Sequence, residues 1–176
     1  DVLFASGATA SKASPIVNFT DVEHRFKHCM SLVEFKIKPG QGVEYNNYKF
    51  NRLELKGIFR SGKFDTRTGT VETAGDRGSI SRNFDDVPFE SEKSFAYIML
   101  PQSLESNKMD MDIYLLLNDS EVKYTTSISP STNGQFEGGK KYTYNITVKN
   151  TGITIEDAFI YPWENGDSSD LDAEIE

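Results

Sequence analysis

Residues 142–148 alternate without a break: Tyr142, Tyr144, Ile146 and Val148 are apolar, and Thr143, Asn145 and Thr147 between them are polar. Extended backbone puts every second side chain on one face, so this run predicts a strand with one side against a core. The same period of two recurs along the chain. Val33, Phe35 and Ile37 alternate with Glu34, Lys36 and Lys38 and stop at Pro39-Gly40. Leu53 and Leu55 alternate with Glu54 and Lys56 before Gly57, and Phe95, Tyr97 and Met99 lead to Pro101. Met109, Met111, Ile113, Leu115 and Leu117 stand opposite Asp110 and Asp112. Asn118-Asp119-Ser120 then turns the chain into Val122 and Tyr124, which predicts a hairpin over 109–128. Leu116 also lies in that run and predicts burial on both faces in its second half. After a turn at Asn150-Thr151-Gly152, the pattern continues through Ile153, Ile155, Ala158 and Ile160 to Pro162 and Trp163.

Many short strands separated by Gly, Pro and Asn turns predict an all-β sandwich or barrel, with strands crossing between sheets. The chain has 176 residues, 12% of them aromatic, with 12 Phe and 8 Tyr, enough for one packed core. A helical period is weak everywhere. Its best window is 22–32, where His24, His28 and Leu32 are spaced by four and predict at most a short helical turn. Residues 60–92, rich in Gly, Thr, Ser and charge, read as a hairpin with long loops. The expected division is a residual strand and linker at 1–20, a β-sandwich at 21–163, and an acidic tail at 164–176. In that tail Leu171, Ala173 and Ile175 alternate with Asp172, Glu174 and Glu176, again the period of a strand. The opening at Asp1 rather than Met reads as a processed product or fragment, with any export signal already removed.

Net charge is −8 with a pI near 4.9, so the surface repels phosphate backbones and nucleic acid is excluded as a partner. No run approaches the length of a membrane-spanning helix. Catalysis has little footing: nucleophile elbow, zincin, P-loop and dinucleotide motifs are all absent. No metal or other cofactor is expected. His24 and His28 lack an evident third ligand, and the acidic tail lacks the turn glycine of a calcium loop. Asp65 and Gly69 in Phe64-Asp65-Thr66-Arg67-Thr68-Gly69 belong to a turn for backbone reasons. Cys29, the single cysteine, permits no intrachain disulfide and reads as a small buried core residue. Exposed aromatics could serve a glycan or host ligand. Tyr45 and Tyr48, with Phe84 and Phe89, lie in stretches of loop-like or ambiguous character, where a lid over the core is the plainer role.

Phe26-Lys27-His28-Cys29-Met30-Ser31-Leu32-Val33-Glu34-Phe35-Lys36-Ile37 resembles the F-K-H-A-L-S-K-L-x-F-x-I segment of the Mfa-like fimbrillins of Bacteroidetes, subunits of type V pili. Asp1-Val2-Leu3-Phe4-Ala5 is similar to the D-L-L-x-A segment that precedes it in that family. Leu53–Gly57 sits where the family has a strand ending in glycine. Residues 139–149 match its G-x-x-Y-x-Y-x-I-x-V strand, and Ile160, Trp163 and Gly166 its closing I-x-x-W-x-x-G. Cys29 replaces a usual Ala, and Leu32-Val33 replaces Lys-Leu, without disturbing the alternation.

This resemblance implies an antiparallel, transthyretin-like β-sandwich with Greek-key character, the second of two such domains. It implies an exported subunit of an outer-membrane-associated fimbria at the cell surface, a lipid anchor on the preceding part, and other fimbrial subunits as partners. Shaft, tip and anchor positions are all open, with strand exchange between sandwiches as the means of assembly. Leu171, Ala173 and Ile175 are then candidates for a subunit-contact strand. The alternative is a non-polymerising surface module that binds a carbohydrate or host ligand, with Tyr45 and Tyr48 facing it.

Overall fold

The computed structural model describes residues 1–19, 21–40, 47–149, 152–155 and 158–163. The predicted alternation becomes two facing sheets. One contains β3 (Ser31–Pro39), β6 (Lys93–Met99), β11 (Lys140–Lys149), β12 (Gly152–Ile155) and β13 (Phe159–Pro162). Its order is β12-β11-β3-β6, with β13 also on β11. The other runs β5-β4-β8-β9, from β4 (Tyr48–Asp65), β5 (Thr70–Pro88), β8 (Met109–Leu117) and β9 (Ser120–Ile128). Two small pairs close the ends: β1 (Leu3–Phe4) with β2 (Lys27–His28), and β7 (Gln102–Ser103) with β10 (Gln135–Phe136).

Val33, Phe35 and Ile37 face inward from β3, and Tyr142, Tyr144, Ile146 and Val148 from β11. Phe50, Leu53, Leu55, Met111, Ile113 and Leu115 face them from the second sheet, and all join one buried cluster. Burying these side chains is the main force holding the sheets together, at about 1.5–3 kcal/mol for each large apolar residue. β3 and β11 run parallel, with Tyr144 opposite Phe35 and the rings stacked at 5.7 Å. Every other strand pairing among the described residues is antiparallel.

The hairpin over 109–128 forms as predicted. Asn118 and Asp119 both adopt positive φ (48° and 62°), the conformation a two-residue turn needs to match strand twist. Burial on both faces is centred on Asp112 and Tyr114 rather than on the second half of β8, because Leu116 and Leu117 run out past the core and are half-buried.

Two other expectations change. Residues 60–92 are not a hairpin with long loops, since β4 and β5 pair from Lys49 to Asp65 around one tight turn. There the Arg67 N–H donates to the Asp65 carboxylate at 2.8 Å and holds its carboxyl below the usual range. Gly69 has φ 74°, and a Cβ on it would lie 2.2 Å from the Phe4 ring. The strand also does not end at Gly57, which takes φ 73° beside a register shift, so β4 bends and continues. The Gln102 amide secures this bend, accepting from Phe59 N–H at 2.7 Å and donating to Phe59 O at 3.3 Å. The window 22–32 holds one turn, at Asp21–Arg25, as expected at most, and β2 follows it, so His24 and His28 share no helix face.

Candidate functional site

The two ends of the described chain meet at one end of the sandwich. β1 pairs with β2, and the Cys29 N–H donates to the Val2 carbonyl at 2.9 Å. His28 Nδ1 bonds the Asp1 carboxylate, and its ring stacks flat on Trp163 at 3.9 Å between centroids. Trp163 is itself anchored by its N–H to the Gly139 carbonyl at 2.7 Å, and Gly139 N–H to Met30 O at 2.8 Å. Segments separated in sequence at 1–5, 26–37, 139–149 and 160–163 therefore come together in space. Cys29 lies in this corner half-buried rather than in the core, because it occupies the short link between β2 and β3. Burial still pushes its thiol pKa up, so the group is a poor nucleophile.

Beside this corner the connection from β1 to β2 exposes apolar side chains. Ile16 is 80% and Val22 71% exposed, with Phe19 and Phe26 in contact at 5.3 Å. Such a run is unusual on a finished surface. Tyr45, Leu171, Ala173 and Ile175 lie outside the described residues. Tyr48 begins β4, half-buried against the core, and lines a shallow depression of about 310 Å³ with Asn118 and Asp119. Phe89 is fully buried and Phe84 half-buried; with Phe50 and Phe95 they close one end of the core, the lid role. Sequence reasoning passed over Phe159 and Tyr161, which are 46% and 54% exposed on β13. Ile160 faces inward between them, so the alternation at 158–161 carried the signal.

The outer face of the second sheet carries a charge cluster built by cross-strand register. Asp112 receives bonds from Lys56, from Lys123 Nζ at 2.8 Å and from Thr125 Oγ1 at 2.8 Å. Tyr114 OH donates to Glu54 at 3.1 Å, under the Arg52 guanidinium at 3.8 Å from its ring centroid. Desolvation pushes the Asp112 carboxyl up, but the bonds from Lys123, Lys56 and Thr125 outweigh it and hold the group well below the ordinary carboxylate range. Every charge is matched, which is the chemistry of a braced sheet face rather than of an acid–base pair. Among the described residues, no group of three or more His, Cys, Asp or Glu could hold a metal, and no helix is long and apolar enough to cross a membrane.

The family model described as fimbrillin-like matches residues 1–163. Comparison with curated proteins gives no match. Among solved structures, a candidate cell adhesion protein from Bacteroides ovatus is 29% identical with a TM-score of 0.61, over 82% of this chain and 49% of that one. Another from Bacteroides uniformis is 17% identical with a TM-score of 0.62, over 81% of this chain and 54% of that one. The tip fimbrial protein Mfa3 from Porphyromonas gingivalis, with C-terminal truncation, is 10% identical with a TM-score of 0.52, over 89% of this chain and 60% of that one. The last two likenesses concern the fold. The chain spans about half the length of the first two proteins. The family points to a structural, non-enzymatic protein. With the match running from the paired N-terminal strand to the tryptophan that closes the sandwich, the chain belongs to the fimbrillin-like family.

Proposed function

We propose that this chain is the sandwich domain of a subunit of a bacterial surface fimbria, in its shaft, tip or anchor, with a role in adhesion. The family match over residues 1–163 carries this reading. Residues 1–20 then serve as the link from a preceding domain, and the exposed Ile16, Phe19, Val22 and Phe26 suit a surface that such a domain covers. Export to the outer membrane, with a lipid anchor on that preceding part, belongs to the same reading.

Assembly proceeds by strand exchange, with Leu171, Ala173 and Ile175 as apolar anchors of the donated strand. What supports this is an alternation suited to a groove on one side and water on the other. The strand edges in the sandwich also matter. β12 and β13 cover one edge of β11, and among the described residues their own outer edges carry no strand, which leaves backbone groups for a partner.

Light scattering after size exclusion, on the intact chain and on one ending at Trp163, tests the exchange. The intact chain should associate with rising concentration and the shortened one stay monomeric. Two clean monomers would remove the tail as donor. Antibodies to the sandwich should decorate surface fibres in immunogold images, and label confined to the cell body would refute the fimbrial role itself.

A further inference from the structure

The two sheets present different outward faces. On the second sheet, acids and bases are interleaved and paired. On the first, the residues of β3 and β11 on the side away from the core are Leu32, Glu34, Lys36 and Lys38, and Lys141, Thr143, Asn145, Thr147 and Lys149, with Thr143 buried beneath its neighbours. Four lysines thus stand with one acid, on a chain whose net charge is −8. Glu34 is already engaged, by Lys141 at 3.1 Å, Thr143 Oγ1 at 3.1 Å and Ser94 Oγ at 3.3 Å. Lys38 and Lys149 are exposed and Lys36 half-buried, with no ion pair to a carboxylate among the described residues.

Along the edge of this basic face lie the exposed rings of Phe159 and Tyr161. Phe159 is opposite Thr143 and Tyr161 opposite Lys141, so both project to the same side as the lysines. Rings, Lys36 and Lys141 line one open depression of about 490 Å³. A large ring left in water on a regular strand, beside convergent polar groups, has the make-up of a ligand platform. Aromatic faces accept the C–H side of a pyranose, hydroxyls pair with Thr and Glu oxygens, and lysines match a negative substituent.

We infer that this outer face binds an acidic oligosaccharide, one pyranose stacked on Tyr161 and Phe159 and its carboxylate or sulfate held by Lys36 and its neighbouring lysines. The inference deepens the adhesion reading and rests on it only in requiring that the subunit stand at a cell surface.

Calorimetric titration with 3′-sialyllactose, a heparin hexasaccharide and lactose separates carboxylate, sulfate and neutral sugars. One acidic sugar should bind more tightly than lactose, and more weakly as salt is raised. Tyr161→Ala should weaken it about tenfold, with an unchanged melting temperature because the ring is exposed. Lys36→Glu with Lys38→Glu should abolish it. Equal binding of lactose, no binding of any sugar, or binding indifferent to Tyr161→Ala would each overturn the inference, the last marking mere polyanion adsorption. Binding seen only after removal of residues 164–176 would also overturn it, by making the chain's own acidic tail the occupant. Immunogold label on fibres separates the two readings: fibres labelled without sugar binding sink only this inference, and unlabelled fibres sink the fimbrial one.

Discussion

Asp112 sits on the outward side of its strand, yet no solvent reaches its carboxylate, because Lys56 and Lys123 cover it. Its folded pKa lies below the unfolded value of about 3.9, so ionisation favours the folded state. That contribution is complete at neutral pH and fades as pH falls below about 4. Asp112→Asn leaves two lysines facing each other with weaker acceptors, and should cost about 1–3 kcal/mol at pH 7. The difference from the unsubstituted chain should shrink toward pH 3, as urea melts at both pH values would measure; an equal difference at both would mean that shape, not charge, matters here. The alternation at 109–117 predicted Asp112 on the outward face, and that is where it lies. What could not be read was its burial, since Lys56 and Lys123 reach it from two other strands whose register is set by the whole sheet.

At the scale of elements, position within a sheet decides how tightly a strand is held. β3 is paired along both edges, by β6 and β11, and β8 by β4 and β9. β12 and β13 are four residues each and, among the described residues, are paired on one edge. Amide hydrogen exchange should therefore be slowest in β3 and β8 and faster by at least about tenfold in β12 and β13. Uniform protection across all four would argue against β12 and β13 as the yielding edge. β4 and β5 teach a different lesson. Their sequences are polar because much of the hairpin beyond Gly57 is exposed on both sides, so composition resembled loop while the backbone paired as strand. Short-range polarity reports exposure and not pairing, which is why the hairpin was expected to carry long loops.

For the molecule as a whole, both sheets contribute to one buried cluster, so neither can lose its partner and remain packed. Trp163, the single tryptophan, reports on the corner where the chain's described ends meet. In urea its fluorescence and the far-ultraviolet dichroism should follow one transition. An earlier fluorescence change would show that Asp1, His28 and Trp163 form a separately melting unit. Most of the strands outside 60–92, the all-β class, the 109–128 hairpin and the family resemblance were determined by the sequence alone, because alternation and turn chemistry are local properties of neighbouring residues. The parallel pairing of β3 with β11, the junction of His28 with Trp163, and the gathering of Lys36, Lys141 and Tyr161 on one face were decided only by the tertiary structure. Those contacts join residues far apart in sequence, and only the packing of two sheets about a shared core sets which of them meet.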